Sequence, residues 1–170
     1  MAKSGAVQLA AQKQDTSGTT TDLSHDALVE ISTALRLLLA DVLALYGKTK
    51  NFHCHMSGPH FRDYHLLLDE RGEQIFAMTD DIAERARKIG GTSLRSIRDV
   101  SRHQRLKDNN EELVTPKNMP AELCADNQHL TQSLRSTHQV CDGHSDVATA
   151  SLIETGIDQT ERRTRFCQKQ

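Results

Sequence analysis

At 170 residues the chain has the size of one domain and can bury a real core. Its 21 basic and 23 acidic residues leave a formal charge of −2, so it is not a polycation along its whole length. Frequent Leu and Ala, only three prolines and no tryptophan favour an all-helical protein.

Residues 1–22 are rich in Ala, Gln, Ser, Thr and Gly without periodicity, which predicts a flexible tail. The domain is expected over 23–167. The helical period begins at Leu23, and Ile31, Leu35, Leu38, Leu39, Val42 and Tyr46 recur at three- and four-residue spacing. Ser24 or Asp22 is the expected cap. Seven residues beyond Tyr46 the same stripe reaches His53. The richest apolar run, Leu35 to Tyr46, is interrupted by Arg36 and Asp41 and is too short to span a membrane. Ser57-Gly58-Pro59 breaks the pattern. A second helix is predicted over about His60 to Ile89, with Phe61, Tyr64, Leu67, Leu68, Ile75, Ile82 and Ile89 as its apolar stripe and Gly90-Gly91 as its stop.

A long connection follows, from Thr92 to Pro120. Within it Ser93 to Ser101 has the pattern of a short helix, with Leu94, Ile97 and Val100 on one side. The third long helix is expected over about Ala121 to Cys141, on Leu123, Leu130, Leu134 and Cys141. Asp142-Gly143-His144 turns into a fourth over about Ser145 to Phe166. Two helices, a long crossover carrying a small helix, then two more give an all-α, ferritin-like four-helix bundle.

Ligand-type residues concentrate on the second helix. His65 and Asp69 are four apart and share a face, and so do Asp80 and Glu84. Asp69 and Asp80 are 11 apart, about three turns, so all four lie near one stripe. His65 and Asp80 are separated by 15 residues, roughly 22 Å of rise, so one metal centre cannot use both pairs of a straight helix. Two copies crossing near residues 74–75 resolve this. His65 and Asp69 of one copy then face Asp80 and Glu84 of the other, with His53 added from the first helix, and a two-fold axis makes two such sites. Imidazoles and carboxylates together suit iron. The competing reading is a solvated face on which Arg62, Arg71, Arg85 and Arg87 neutralise the acids.

The segment Lys50-Asn-Phe-His-Cys-His-Met-Ser-Gly-Pro-His-Phe-Arg-Asp-Tyr-His-Leu-Leu-Leu-Asp-Glu closely resembles the signature of the Dps family, the DNA-protecting mini-ferritins of starved bacteria. The runs from Asp81-Ile-Ala-Glu-Arg to Gly90-Gly91, Asp146-Val-Ala-Thr-Ala-Ser and Thr160-Glu-Arg-Arg-Thr continue it. The resemblance implies a dodecameric shell around a mineral cavity, located in the cytoplasm or on the nucleoid. It implies ferroxidase centres at two-fold interfaces, with His53, His65, Asp69, Asp80 and Glu84 as ligands. Fe(II) would be oxidised to Fe(III) there, with hydrogen peroxide as the oxidant. The chain departs from the family at Cys54, Gly156 and Arg165, where Trp is common. A thiol at Cys54 is itself oxidisable.

Weaker signals remain. Lys3 and Lys13 are the tail's only cations and the expected DNA contacts. Glu122 and Asp126 are candidates for an acidic iron pore. Cys54, Cys124, Cys141 and Cys167 lack any CxxC pair, which predicts free thiols. His53-Cys54-His55 has no second pair at zinc spacing, so zinc is expected only as a competitor at the iron centre. No apolar leader segment is visible. The absence of any Glu-x-x-His argues against a ferroxidase centre within one bundle, as in ordinary ferritins. The alternative function, motivated by the missing tryptophans, is a non-catalytic shell or nucleoid-associated DNA-binding protein.

Overall fold

The computed structural model describes residues 21–167, and Lys3 and Lys13 lie outside them. Helix α1 spans His25–His55. Of the two candidate caps, Ser24 does the work, because its hydroxyl accepts from the Ala27 amide at 3.2 Å. Ile31, Leu35, Leu38, Leu39, Val42, Leu45 and Phe52 form its buried stripe. After Met56 the chain turns through Gly58, whose φ of 98° is the left-handed conformation that glycine tolerates.

Helix α2 spans Phe61–Lys88. It runs antiparallel to α1, since Lys50 meets Asp69 and Tyr46 meets Phe76. Leu68, Ile75, Ile82 and Ile89 are buried as expected. Phe61 is not part of the core. It stands at the helix start, outside the α1 contact, and is 45% exposed.

The short helix α3 is Ile97–His103, displaced toward the C-terminus from its predicted place. The Ser96 hydroxyl caps it by accepting from the Asp99 amide at 3.2 Å. Leu94 precedes the helix and packs on the core, whereas Ile97, its first residue, points outward and is 84% exposed. The predicted apolar side therefore does not form. Helix α4 is Asn118–Gly143 and α5 is Val147–Cys167. Pro120 lies inside the first turn of α4, where a missing N–H costs nothing.

Helix α1 packs on α2, α4 and α3, and α5 packs on α4 and α2. Lys48 of α1 meets the start of α4, while Glu30 of α1 meets His144 just past its end, so α4 runs down beside α1. The connection between α2 and α4 must therefore traverse the length of the bundle. Asp41 holds it there. Its buried carboxylate accepts from the Arg105 amide at 2.6 Å and from the guanidinium at 2.6 and 2.9 Å. The charge that interrupts the apolar run of α1 is thus the anchor of the crossover. Among the described residues no helix is long and apolar enough to cross a membrane. Cys54, Cys124 and Cys141 are free thiols.

Gly156 is buried where three helices meet. A Cβ there would stand 3.1 Å from Leu134 and 3.3 Å from Met78, so an indole has no room. The loss of helix propensity at a mid-helix glycine is exchanged for close packing of α5 on α4 and α2.

The base of the bundle is locked by Asp146, which is 5% exposed and accepts from Arg85 at 2.7 Å, the Thr149 amide at 3.1 Å and the Thr149 hydroxyl. Burial alone would raise this carboxyl; the Thr149 and Arg85 contacts outweigh it and hold it below the usual range. The stabilisation is therefore present above the unfolded carboxylate value and is lost as pH falls through the lower folded value. Asp146→Ala is expected to cost about 3 kcal/mol at pH 7, because it strands Arg85. Urea midpoints of variant and parent at pH 7 and pH 3 check this, and the gap should narrow in acid.

Candidate metal centre

The C-terminal turn of α1 and the N-terminal turns of α2 bring two histidines into contact. The imidazoles of His53 and His65 stack with centroids 3.7 Å apart, and Phe61 covers the far side of His65 at 4.9 Å. Their hydrogen bonds are reciprocal. His53 Nδ1 donates to the carbonyl of His65 at 3.1 Å, and His65 Nδ1 donates to the carbonyl of His53 at 3.2 Å. A carbonyl oxygen only accepts, so each Nδ1 carries a proton, and in the neutral imidazole the lone pair then lies on Nε2. This is the arrangement that prepares an imidazole as a metal ligand.

Asp69, one turn beyond His65, places Oδ1 4.0 Å from His53 Nε2. The same oxygen holds Lys50 Nζ at 2.7 Å. Lys50 reaches it by passing over Gly72, where a Cβ would come within 3.1 Å of its chain. The hydrogen bond from Lys50 keeps the Asp69 carboxyl below the usual carboxylate range, and Asp69 in turn raises the amine. The neutralising partner is thus Lys50, not one of the arginines expected from sequence. Its place three residues before His53 put it on the same side of the helix, a signal that was present in the sequence.

Asp80 and Glu84 lie on the far half of α2, both exposed, with Glu84 bonded to Lys88 at 2.8 Å. The fold gathers His53, His65 and Asp69 and leaves Asp80 and Glu84 apart. Among the described residues no cluster of three or more His, Cys, Asp or Glu side chains could hold a metal ion. The ligand face is also apolar. Phe61, Leu66 and Phe76 are 45, 56 and 53% exposed on this side of α2. Phe76 is steadied by Tyr46, with ring centroids 5.0 Å apart. Such a surface on one helix is unusual unless something covers it.

The candidate pore residues have another commitment. Glu122 and Asp126 both bind the buried Lys48, at 2.9 and 2.8 Å, and Asn109 donates to Glu122 at 2.7 Å. Burial works against the charge on Lys48, but the two carboxylates hold its amine above the ordinary range. Lys48 also lines an open cleft of about 480 Å³, together with Asn51 and Asn109.

Residues 32–170 match the family model of the ferritin-like domain. The DNA protection during starvation protein 1 of Deinococcus radiodurans is 31% identical over 122 residues, which cover 72% of this chain and 59% of that relative. The chain thus spans about three fifths of the length of that curated relative. The Dps of Thermosynechococcus elongatus superposes with a TM-score of 0.82 at 25% identity, over 85% of this chain and 91% of that one. The Dps protein of Vibrio cholerae O1, described as a member of a broad superfamily of ferritin-like diiron-carboxylate proteins, superposes at 0.83 with 18% identity, over 86% and 92%.

Replacing Lys50 by Met should release Asp69 and tighten binding of a divalent cation several-fold. Calorimetric titration with Zn(II), which is redox-inert, reads this directly. Unchanged affinity would mean that Lys50 does not compete with a metal for Asp69.

Proposed function

The chain belongs to the Dps family of ferritin-like proteins, and from that premise we propose that it oxidises Fe(II) and stores the ferric product inside a homo-oligomeric, dodecameric shell. The observation that carries this reading is the reciprocal bonding of His53 and His65, which leaves both Nε2 atoms available beside Asp69. A second subunit, related by a two-fold axis across α2, supplies Asp80 and Glu84 and buries Phe61, Leu66 and Phe76 in the same step. The active unit is then the dimer.

Iron is the substrate. His53, His65 and Asp69 bind it from one subunit, and the two acids from the other neutralise its charge. Binding draws Asp69 away from Lys50, so at that carboxylate one cation is exchanged for another. Hydrogen peroxide takes one electron from each of two Fe(II), and its oxygens leave as water after gaining two protons. Consuming both reagents together suppresses hydroxyl-radical formation, and that protects DNA. Zinc competes for the same ligands. The domain proper is residues 23–167, preceded by a tail at 1–22, and the particle works in the cytoplasm.

A second reading, a shell or nucleoid protein without catalysis, is motivated by the missing tryptophans and by Cys54 beside His53. Anaerobic addition of Fe(II) and peroxide separates the two. Ferric absorbance should rise much faster than in buffer, and added Zn(II) should slow it. His65→Ala/Asp69→Ala should fall to the rate in buffer while light scattering still shows the assembled particle. Full activity in that variant would remove these residues from the site. Phe76→Glu, which places a charge in the proposed two-fold contact, should lose both assembly and oxidation.

A further inference from the structure

Helices α2 and α4 stand diagonally across the bundle and make no close backbone contact. Side chains alone fill the space between them, and they leave a small cavity of about 30 Å³. One water needs roughly 10–15 Å³ by the same measure, so the cavity takes about two waters or a group of about four heavy atoms. All four long helices contribute to its wall: Thr49 from α1, Leu67 and Arg71 from α2, Leu123 and Asn127 from α4, and Arg163 from α5. The wall is mostly apolar, yet two arginines line it.

Arg163 is 2% exposed. It donates to Asn127 Oδ1 at 3.0 Å, to Thr160 Oγ1 at 2.8 Å and to Met78 Sδ at 3.3 Å, all neutral acceptors. Two of these acceptors are fixed in turn. Asn127 Nδ2 donates to the Leu123 carbonyl at 2.7 Å, and Thr160 Oγ1 donates to the Gly156 carbonyl at 2.7 Å. The guanidinium of Arg163 is thus held in one orientation. Arg71 is steadied by Gln74, to which its Nη1 donates at 3.0 Å. Burial, and after it the like charge of Arg71, pulls Arg163 down to about 10. It is still a cation at neutral pH, so two positive charges oppose each other where the surroundings screen them poorly.

We infer that this cavity at the centre of the bundle binds a small monocarboxylate of acetate size, with its head between Arg71 and Arg163 and its methyl group against Leu67 and Leu123. A planar carboxylate accepts two parallel hydrogen bonds from a guanidinium, and its single negative charge relieves the repulsion between the two arginines. The apolar wall suits the methyl group. A phosphate dianion is larger and costs more to strip of water, and a long fatty acid exceeds the space. Because the donors are oriented before the ligand arrives, little ordering entropy is lost on binding. The same arginines repel a metal ion, so the bundle interior, where ordinary ferritins hold their metal, has the opposite polarity here. The site is separate from the metal centre, since none of His53, His65, Asp69, Asp80 and Glu84 lines the cavity.

The test uses the assembled full chain without iron, dialysed to equilibrium against radiolabelled acetate in chloride buffer at constant ionic strength. Saturable uptake of one acetate per chain is expected, with a Kd on the order of 1 mM, because a ligand of about four heavy atoms supports little more. Arg71→Gln, at a half-buried position, should weaken binding about tenfold or more, and so should Arg163→Gln. Leu67→Phe keeps both arginines but fills the cavity, and it should abolish uptake. Nitrate, which is also planar and singly charged, should compete, and hexanoate should not. If Arg163→Gln fails to assemble by light scattering, the other two variants decide. Four results overturn the inference: no saturable uptake by the parent, parental affinity in Arg71→Gln or Leu67→Phe, affinity that rises from acetate to hexanoate, which would put the ligand in a wider groove, or disassembly of both Arg71→Gln and Leu67→Phe, which would make the cavity wall a packing joint only. No iron enters the measurement, so its failure and a failure of the metal reading are distinguishable.

Discussion

An α-helix advances about 1.5 Å per residue whatever its sequence, and this pitch governs the arrangement of the ligand-type residues on α2. His65 and Asp69 occupy its first third, and Asp80 and Glu84 lie three turns further on. No rotamer closes a gap of roughly 22 Å. Within one chain His65 with Asp69 and Asp80 with Glu84 therefore stay apart, separated by the helix that carries both pairs. In the proposed dimer an antiparallel copy of the same helix would bring unlike pairs together twice. The exposed Phe61, Leu66 and Phe76 belong to the same logic. A helix face that carries ligand-type and large apolar groups together gains by being covered, and in the proposed dimer the covering would complete the site.

Around this framework the carboxylates are compensated by lysines. Asp69 is held by Lys50, Glu84 by Lys88, and Glu122 with Asp126 by Lys48. Glu84–Lys88 is exposed and Asp69–Lys50 only half-buried, and such pairs add little stabilisation. The third is buried, and exchanging its lysine for solvent would leave two acids stranded. Burial thus separates two weakly stabilising pairs from one fixed ionic joint between α1 and α4.

The crossover shows how one buried charge can organise a long connection. Asp41 sits in the middle of the apolar run of α1 and receives a backbone amide and a guanidinium from Arg105. That anchor lets the 91–117 segment run the length of the bundle, and it presents α3 with its arginines outward.

Much of this was legible in the residues. The 3.6-residue period marked four long helices, Gly90-Gly91 and Ser57-Gly58-Pro59 marked their ends, and the spacing of His65, Asp69, Asp80 and Glu84 already barred one straight helix from bringing both pairs to a single ion. These are properties of local chain geometry, and a helix carries them wherever it packs. Other features were not legible, because they depend on which elements meet. The shift of α3, the exposure of Phe61 and Ile97, and the burial of Gly156 against Leu134 and Met78 follow from neighbours distant in sequence. So do the Asp41–Arg105 anchor and the diversion of Glu122 and Asp126 to Lys48. The histidines illustrate the division most clearly. Sequence alone determined that His53 and His65 are of ligand type and lie at the facing ends of two helices. Only the antiparallel docking of α1 on α2 decided their tautomer, because it set each ring against the other's backbone carbonyl and left both Nε2 atoms open.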